Sequence, residues 1–177
     1  LARAPLEGTV TEAIPDDAVW VDLLSPTPEE EKLVEGWLNL DIPTIEEMRE
    51  IELSSRLYEE GGATYMTALA LINSEADHPR TCDVSFILTQ SHLVTVRYET
   101  PKSMELFVQR APKIGMPCRH PDYVLASLID AFLDRIADVL ERAGAEAEAI
   151  SQRVFERHSR KPMKTDDFRD IVTRIGR

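Results

Sequence analysis

Between Pro121 and His158 the chain runs without a further proline and with one glycine, Gly144. Apolar residues recur three or four apart along it: Leu125, Ile129, Phe132, Ile136, Val139, Ala143, Ala147, Ile150 and Val154. This is a helical stripe of the heptad kind, with one break where two intervals of four meet at Ala143. Asp130, Asp134, Arg135, Asp138, Glu141 and Arg142 take other faces. A helix of that length reaches roughly 55 Å at about 1.5 Å per residue. An ordinary globular core needs less, so the chain has to be a domain with a long helix leading out of it. A second helix is expected from Thr165 to the last residues.

The remaining length suffices for one domain with a sizeable core. Hydrophobic residues make up 43%, the share of a folding sequence. The net charge of −12 argues against nucleic acid or an anionic membrane surface as partner. A carboxylate excess suits cations, although acidity commonly serves solubility alone. Cys82 and Cys118 lie too far apart in sequence to form a disulfide framework, and a reducing compartment fits them best. No signal-like segment opens the sequence, and no apolar run approaches the ~18 residues of a membrane helix.

Along the chain, Val19–Leu24 reads as a short buried strand, with Gly8 to Ile14 a weaker candidate before it. Thr27-Pro28-Glu29-Glu30-Glu31 opens a helix: a cap, a proline at the first turn and acids at the positive end of the dipole. Thr44 opens a second short helix with Glu46 and Glu47 in its first turn. From Arg56 the period becomes two, and Glu60-Gly61-Gly62 separates two strand runs as a hairpin would. Thr81–Thr89 and Leu93–Tyr98 form a second pair around Gln90-Ser91-His92. Pro101–Arg110 is expected as a helix, and 112–121, rich in proline, as a hinge. The fold class is α+β or α/β: an α/β/α layered domain with a mixed, largely antiparallel sheet over 1–115, then long helices over 116–177.

Catalytic patterns are lacking. There is no phosphate-binding glycine loop, no Gly-x-Ser-x-Gly elbow and no paired-histidine metal helix, and the reading is of a chain that is not an enzyme. His78, His92, His120 and His158 are scattered. Cys118 with His120, and His78 with Cys82, are the nearest approach to a zinc site, but neither pair has the spacing of four converging ligands. Glu46 and Glu47 carry two readings. Acids in a first helical turn complement the dipole. They would also serve as half of a hard-cation site, the partner carboxylate coming from another subunit, because Mg2+ keeps several waters and needs only one or two carboxylates. Asp166 and Asp167 behind Thr165 carry the same two readings, with capping the stronger.

Several of these stretches resemble the cytosolic domain of CorA-type magnesium transporters. Val19-Trp20-Val21-Asp22-Leu23 with Pro26–Glu31 is similar to its opening. Asp41-Ile42-Pro43-Thr44-Ile45-Glu46-Glu47-Met48 and Ile51–Glu60 follow in the family's order. Val84–Thr89 and Leu93–Tyr98 resemble the central strands, and Leu125–Asp134 the start of the long helix. The resemblance covers nearly the whole chain.

It implies the cytosolic regulatory domain of a divalent-cation transporter, truncated before the membrane helices, with Mg2+ as ion and Co2+ or Zn2+ as alternatives. It implies a homopentamer on the cytoplasmic side of the cell inner membrane, anchored by C-terminal helices outside this sequence. It also implies that Mg2+ between neighbouring domains holds the pore closed, with Glu47, or Glu46 at one residue's offset, supplying one acid. A zinc transporter of the same family, and a helical module that binds a protein partner, stay open as alternatives.

Overall fold

The computed structural model describes residues 18–52, 55–76, 79–114, 120–158 and 173, with the backbone alone for 111–114 and 154–158. The order is β1 (Trp20–Leu24), α1 (Pro28–Leu38), α2 (Ile45–Glu50), β2 (Leu57–Glu60), β3 (Ala63–Ile72), β4 (Arg80–Leu88), β5 (Leu93–Arg97), α3 (Lys102–Ile114) and α4 (Pro121–His158). The strands make one mixed sheet in the order β1-β5-β4-β3-β2. β1 lies parallel to β5, with Asp22 opposite Thr95, and every other pairing is antiparallel. The expected α/β/α layering is the observed one.

Both sheet faces are covered, which is why the central strands read as continuous apolar runs. On one face Val84, Phe86 and Leu93 meet Met104 and Phe107 of α3 and Val124, Leu125, Leu128 and Phe132 of α4. On the other, Ile87, Val94 and Val96 meet Val34 of α1 and Met48 of α2. Strand β5 is buried from end to end, as the middle of such a sandwich requires. The β2–β3 hairpin turns on Gly61 and Gly62 at φ 59° and 82°, the two positive values that a type I′ turn needs.

Two expectations are corrected. Helix α3 continues to Ile114, past Pro112, instead of ending at Arg110. A proline in the last turn removes a single ladder bond there, so it ends the helix within a few residues without forbidding it. In α4 the side chains that enter the core are led by Val124 and Leu128, at 1% and 0% exposure, which the heptad stripe leaves out. Ile129 and Ile136, which it includes, stand 41% and 37% exposed. Periodicity marks apolar faces, but the sheet takes only one of them. The Gly8–Ile14 strand candidate lies outside the described residues. So does the second helix from Thr165, apart from Thr173.

Candidate metal site

Helix α2 has only six residues and is positioned by its neighbours. Met48, 2% exposed, anchors it in the core formed with Val34, Ile87 and Val96. The Tyr65 hydroxyl donates to the Asp41 carbonyl at 3.1 Å, and the Ile42 N–H donates to Glu35 Oε1 at 3.2 Å, so the approach to the helix is tied on both sides. After the helix, Arg56 pairs with Asp83 of β4 at 3.6 Å.

Thr44 and Glu47 form a reciprocal capping box. The Glu47 N–H donates to Thr44 Oγ1 at 3.3 Å, while Thr44 N–H and Oγ1–H donate to Glu47 Oε2 at 2.8 and 2.9 Å. The dipole-and-cap reading of Glu47 is therefore a physical fact of this helix. It occupies one carboxylate oxygen; Oε1 has no hydrogen bond among the described residues. Glu46 and Glu47 are both exposed.

Their surroundings differ. The Tyr58 hydroxyl is pushed up from its ordinary value by burial, then by Glu60, Glu47 and Asp41. Tyr98 is raised by burial and then by Glu31, with a backbone bond to Ile45 working the other way and Glu46 adding a smaller push up. Glu47 thus shares its surface with Glu60 and Asp41 around Tyr58, which stacks on Tyr65 with ring centres 4.8 Å apart. Glu46 acts on the Tyr98 hydroxyl instead.

A cavity of about 310 Å³ lies beside the helix, lined among others by Arg49, Asp83, Tyr98 and Glu99. Its carboxylates already have cations: Asp83 faces Arg56, and Glu99 takes Arg80 at 3.3 Å. Among the described residues no group of three or more His, Cys, Asp or Glu side chains converges as a metal cage would require.

The remaining candidates are not brought together. Cys82 is buried and its thiol is pushed up to about 11, chiefly by burial, so it is a packing residue here. His92 packs against Trp37 with ring centres 4.4 Å apart, and His120 is exposed. His78, Cys118, Asp166 and Asp167 lie outside the described residues, and the side chain of His158 is likewise not described. Asp41 and Glu60 are additions that sequence order alone does not pair with Glu47. The β2–β3 pairing fixes Glu60 two residues along the strand from Tyr58, whose hydroxyl feels Glu47 and Glu60 alike.

A family model for the CorA-like Mg2+ transporter protein matches residues 15–172. The chain belongs to that family. The magnesium transport protein CorA of Salmonella typhimurium is 27% identical over 142 residues, covering 80% of this chain and 45% of the relative. The Escherichia coli K12 protein of the same name is 25% identical over the same coverage. The chain thus spans less than half the length of these relatives. In fold it is similar to the complete CorA magnesium transporter of Methanocaldococcus jannaschii, with TM-score 0.62 and 14% identity over 93% of this chain and 51% of that one. The cytoplasmic domain of ZntB from Vibrio parahaemolyticus is also similar, at TM-score 0.54 and 14% identity over 74% and 54%. The family is one of transporters, not of enzymes. Among the described residues no helix is long and apolar enough to cross a membrane.

Proposed function

We propose that this chain is the cytosolic regulatory part of a divalent-cation transporter of the cell inner membrane, with Mg2+ as cargo, acting as a homopentamer whose pore helices lie beyond Arg177. The observation that carries the reading is the family match over 15–172. The layered domain 1–115 senses internal Mg2+, and the helices of 116–177 connect it to the pore, with the first turns of α4 packed on the sheet.

Glu47 and Glu46 supply one side of a regulatory Mg2+ site between neighbouring subunits. The residues fit that role: Glu46 is exposed, and Glu47 keeps Oε1 available while Oε2 holds the helix cap. One or two carboxylates suffice for an ion that retains most of its waters. A site of so few fixed ligands is weak unless the second subunit is correctly placed, so occupancy reports on packing. Metal that binds the closed arrangement better than the open one shifts the equilibrium by that difference. Asp166 and Asp167 are weaker ligand candidates.

The test is ion flux through the full-length protein against internal Mg2+. Glu46→Gln/Glu47→Gln is expected to weaken inhibition about tenfold or more, and unchanged inhibition would defeat the assignment. Glutamine still completes a capping box, so the pair of substitutions separates metal binding from helix stability. A second reading makes Zn2+ the cargo, with Co2+ a further alternative to Mg2+. Competition among Mg2+, Co2+ and Zn2+ in the same flux assay decides between them.

A further inference from the structure

The core contact of α4 ends at Phe132, yet the helix stays tied to the layered domain as far as Arg142. At about 100° per residue, Arg135 and Arg142 fall within about 40° of Val124 and Leu128 round the helix. The side of α4 that meets the core therefore changes from apolar to arginine where the sheet runs out. Both arginines reach the turn that follows β3. Arg135 Nε donates to Ser74 Oγ at 2.7 Å, and its Nη2 donates to Glu75 Oε1 at 3.2 Å. Arg142 Nη2 donates to the Ser74 carbonyl. Ser74 is 3% exposed and the Arg135 side chain 12%, so the bond between them is shielded from water. Glu146, the next residue on that side of the helix, is exposed.

The turn itself is held in shape. Asn73 stands at φ 51°, a left-handed conformation that asparagine accepts more readily than most residues. The Ala76 N–H donates to the Asn73 carbonyl at 2.9 Å, and Ile72 is buried in the same cluster as Phe132. A fixed turn thus offers a hydroxyl, a carbonyl and a carboxylate to two arginines two helical turns apart. Apolar contact has no direction, so the packing of Val124 to Phe132 alone lets α4 tilt on the sheet. Guanidinium bonds are geometrically specific, and they oppose that tilt.

We propose that the Ser74–Arg135–Arg142 joint sets the direction in which α4 leaves the domain, and that magnesium at α2 acts on the pore only while this joint is closed. The inference rests on the transport reading and adds the coupling residues to it. Strand β3 belongs to both halves of the path. Its first residue, Ala63, packs in the cluster that holds Met48 of α2, and its last, Ile72, packs in the cluster that holds Phe132 of α4. The joint follows directly on that strand. From Arg142 to His158 the helix continues for about 24 Å, so a tilt of about 10° at the joint displaces its far end by about 4 Å. With the joint open, α4 slides on the sheet and the same movement of the domain is not passed on.

The test is ion flux through the full-length protein against internal Mg2+. Arg135→Gln/Arg142→Gln is expected to keep the flux seen at low internal Mg2+ and to weaken inhibition about tenfold or more. Arg135→Glu alone should do the same, because it sets two carboxylates against each other. Glu75→Arg/Arg135→Glu restores the ion pair with its signs exchanged and should regain part of the inhibition, a recovery that a merely destabilised chain would not show. Inhibition equal to the parent's in the double glutamine variant would overturn the inference and leave the transport reading standing. So would the absence of any recovery on exchange of the charges. A parent whose flux ignores internal Mg2+ would remove the regulatory reading and this coupling with it.

Discussion

Asp22 is the residue that an apolar strand least explains. It sits in Trp-Val-Asp-Leu-Leu, and the strand register sets it beside Thr95. Its carboxylate accepts from Thr95 Oγ1 at 2.7 Å and takes the Arg97 guanidinium at 3.0, 3.2 and 2.8 Å. Trp20 Nε1 donates to Thr95 Oγ1 at 3.0 Å, and Arg97 Nη1 donates onward to the Glu99 carbonyl and Thr100. The network welds β1 to β5 where the pairing is parallel. The Arg97 side chain is only 9% exposed. Asp22→Asn is therefore expected to destabilise by about 3 kcal/mol or more, because it strands a buried cation. Asp22→Leu/Arg97→Met should recover most of that loss, since no charge is left unpaired. Urea unfolding of the two variants checks the contrast; equal losses would mean that the network contributes through packing alone.

At the scale of the element, α1 and α2 were legible because caps are local chemistry. Thr27 and Thr44 both close reciprocal boxes with the glutamate three residues on. The Gly61-Gly62 hairpin was legible for the same reason. The packed face of α4 was not, because the choice between two apolar faces is made by α3 and the sheet. The site was half legible: Glu46 and Glu47 follow from the first helical turn, whereas the β2–β3 pairing is what sets Glu60 near Tyr58, whose hydroxyl also feels Glu47 and Asp41.

His92, in the β4–β5 turn, yields a prediction of its own. Packing against Trp37 lowers its pKa through burial. The unfolded chain then binds the proton more readily than the folded one. Its contribution is intact above the ordinary value near 6.5, and stability is lost as pH falls through 6.5 toward the lowered folded value. His92→Gln removes both the proton and part of the packing. The variant is expected to be less stable at pH 8 yet to lose less between pH 7 and 5 than the parent. Parallel stability curves for the two would rule out the titration.

For the whole molecule, 32 carboxylates against 20 basic residues set the chain against itself. Salt that shortens the Debye length to about 10 Å at 0.1 M screens this repulsion, so the melting temperature should rise from 10 to 150 mM NaCl. Magnesium divides that general effect from a specific one. A bound ligand stabilises by RT ln(1 + [L]/Kd) on top of any screening. Glu47 offers one uncommitted oxygen, and no three-ligand group gathers round it among the described residues. At matched ionic strength, MgCl2 is therefore expected to raise the melting temperature no further than NaCl does in this chain. A magnesium-specific rise that Glu46→Gln/Glu47→Gln abolishes would mean that one chain closes the site by itself. Equality of the two salts leaves the second half of the site to a neighbouring subunit, and occupancy then becomes a readout of assembly.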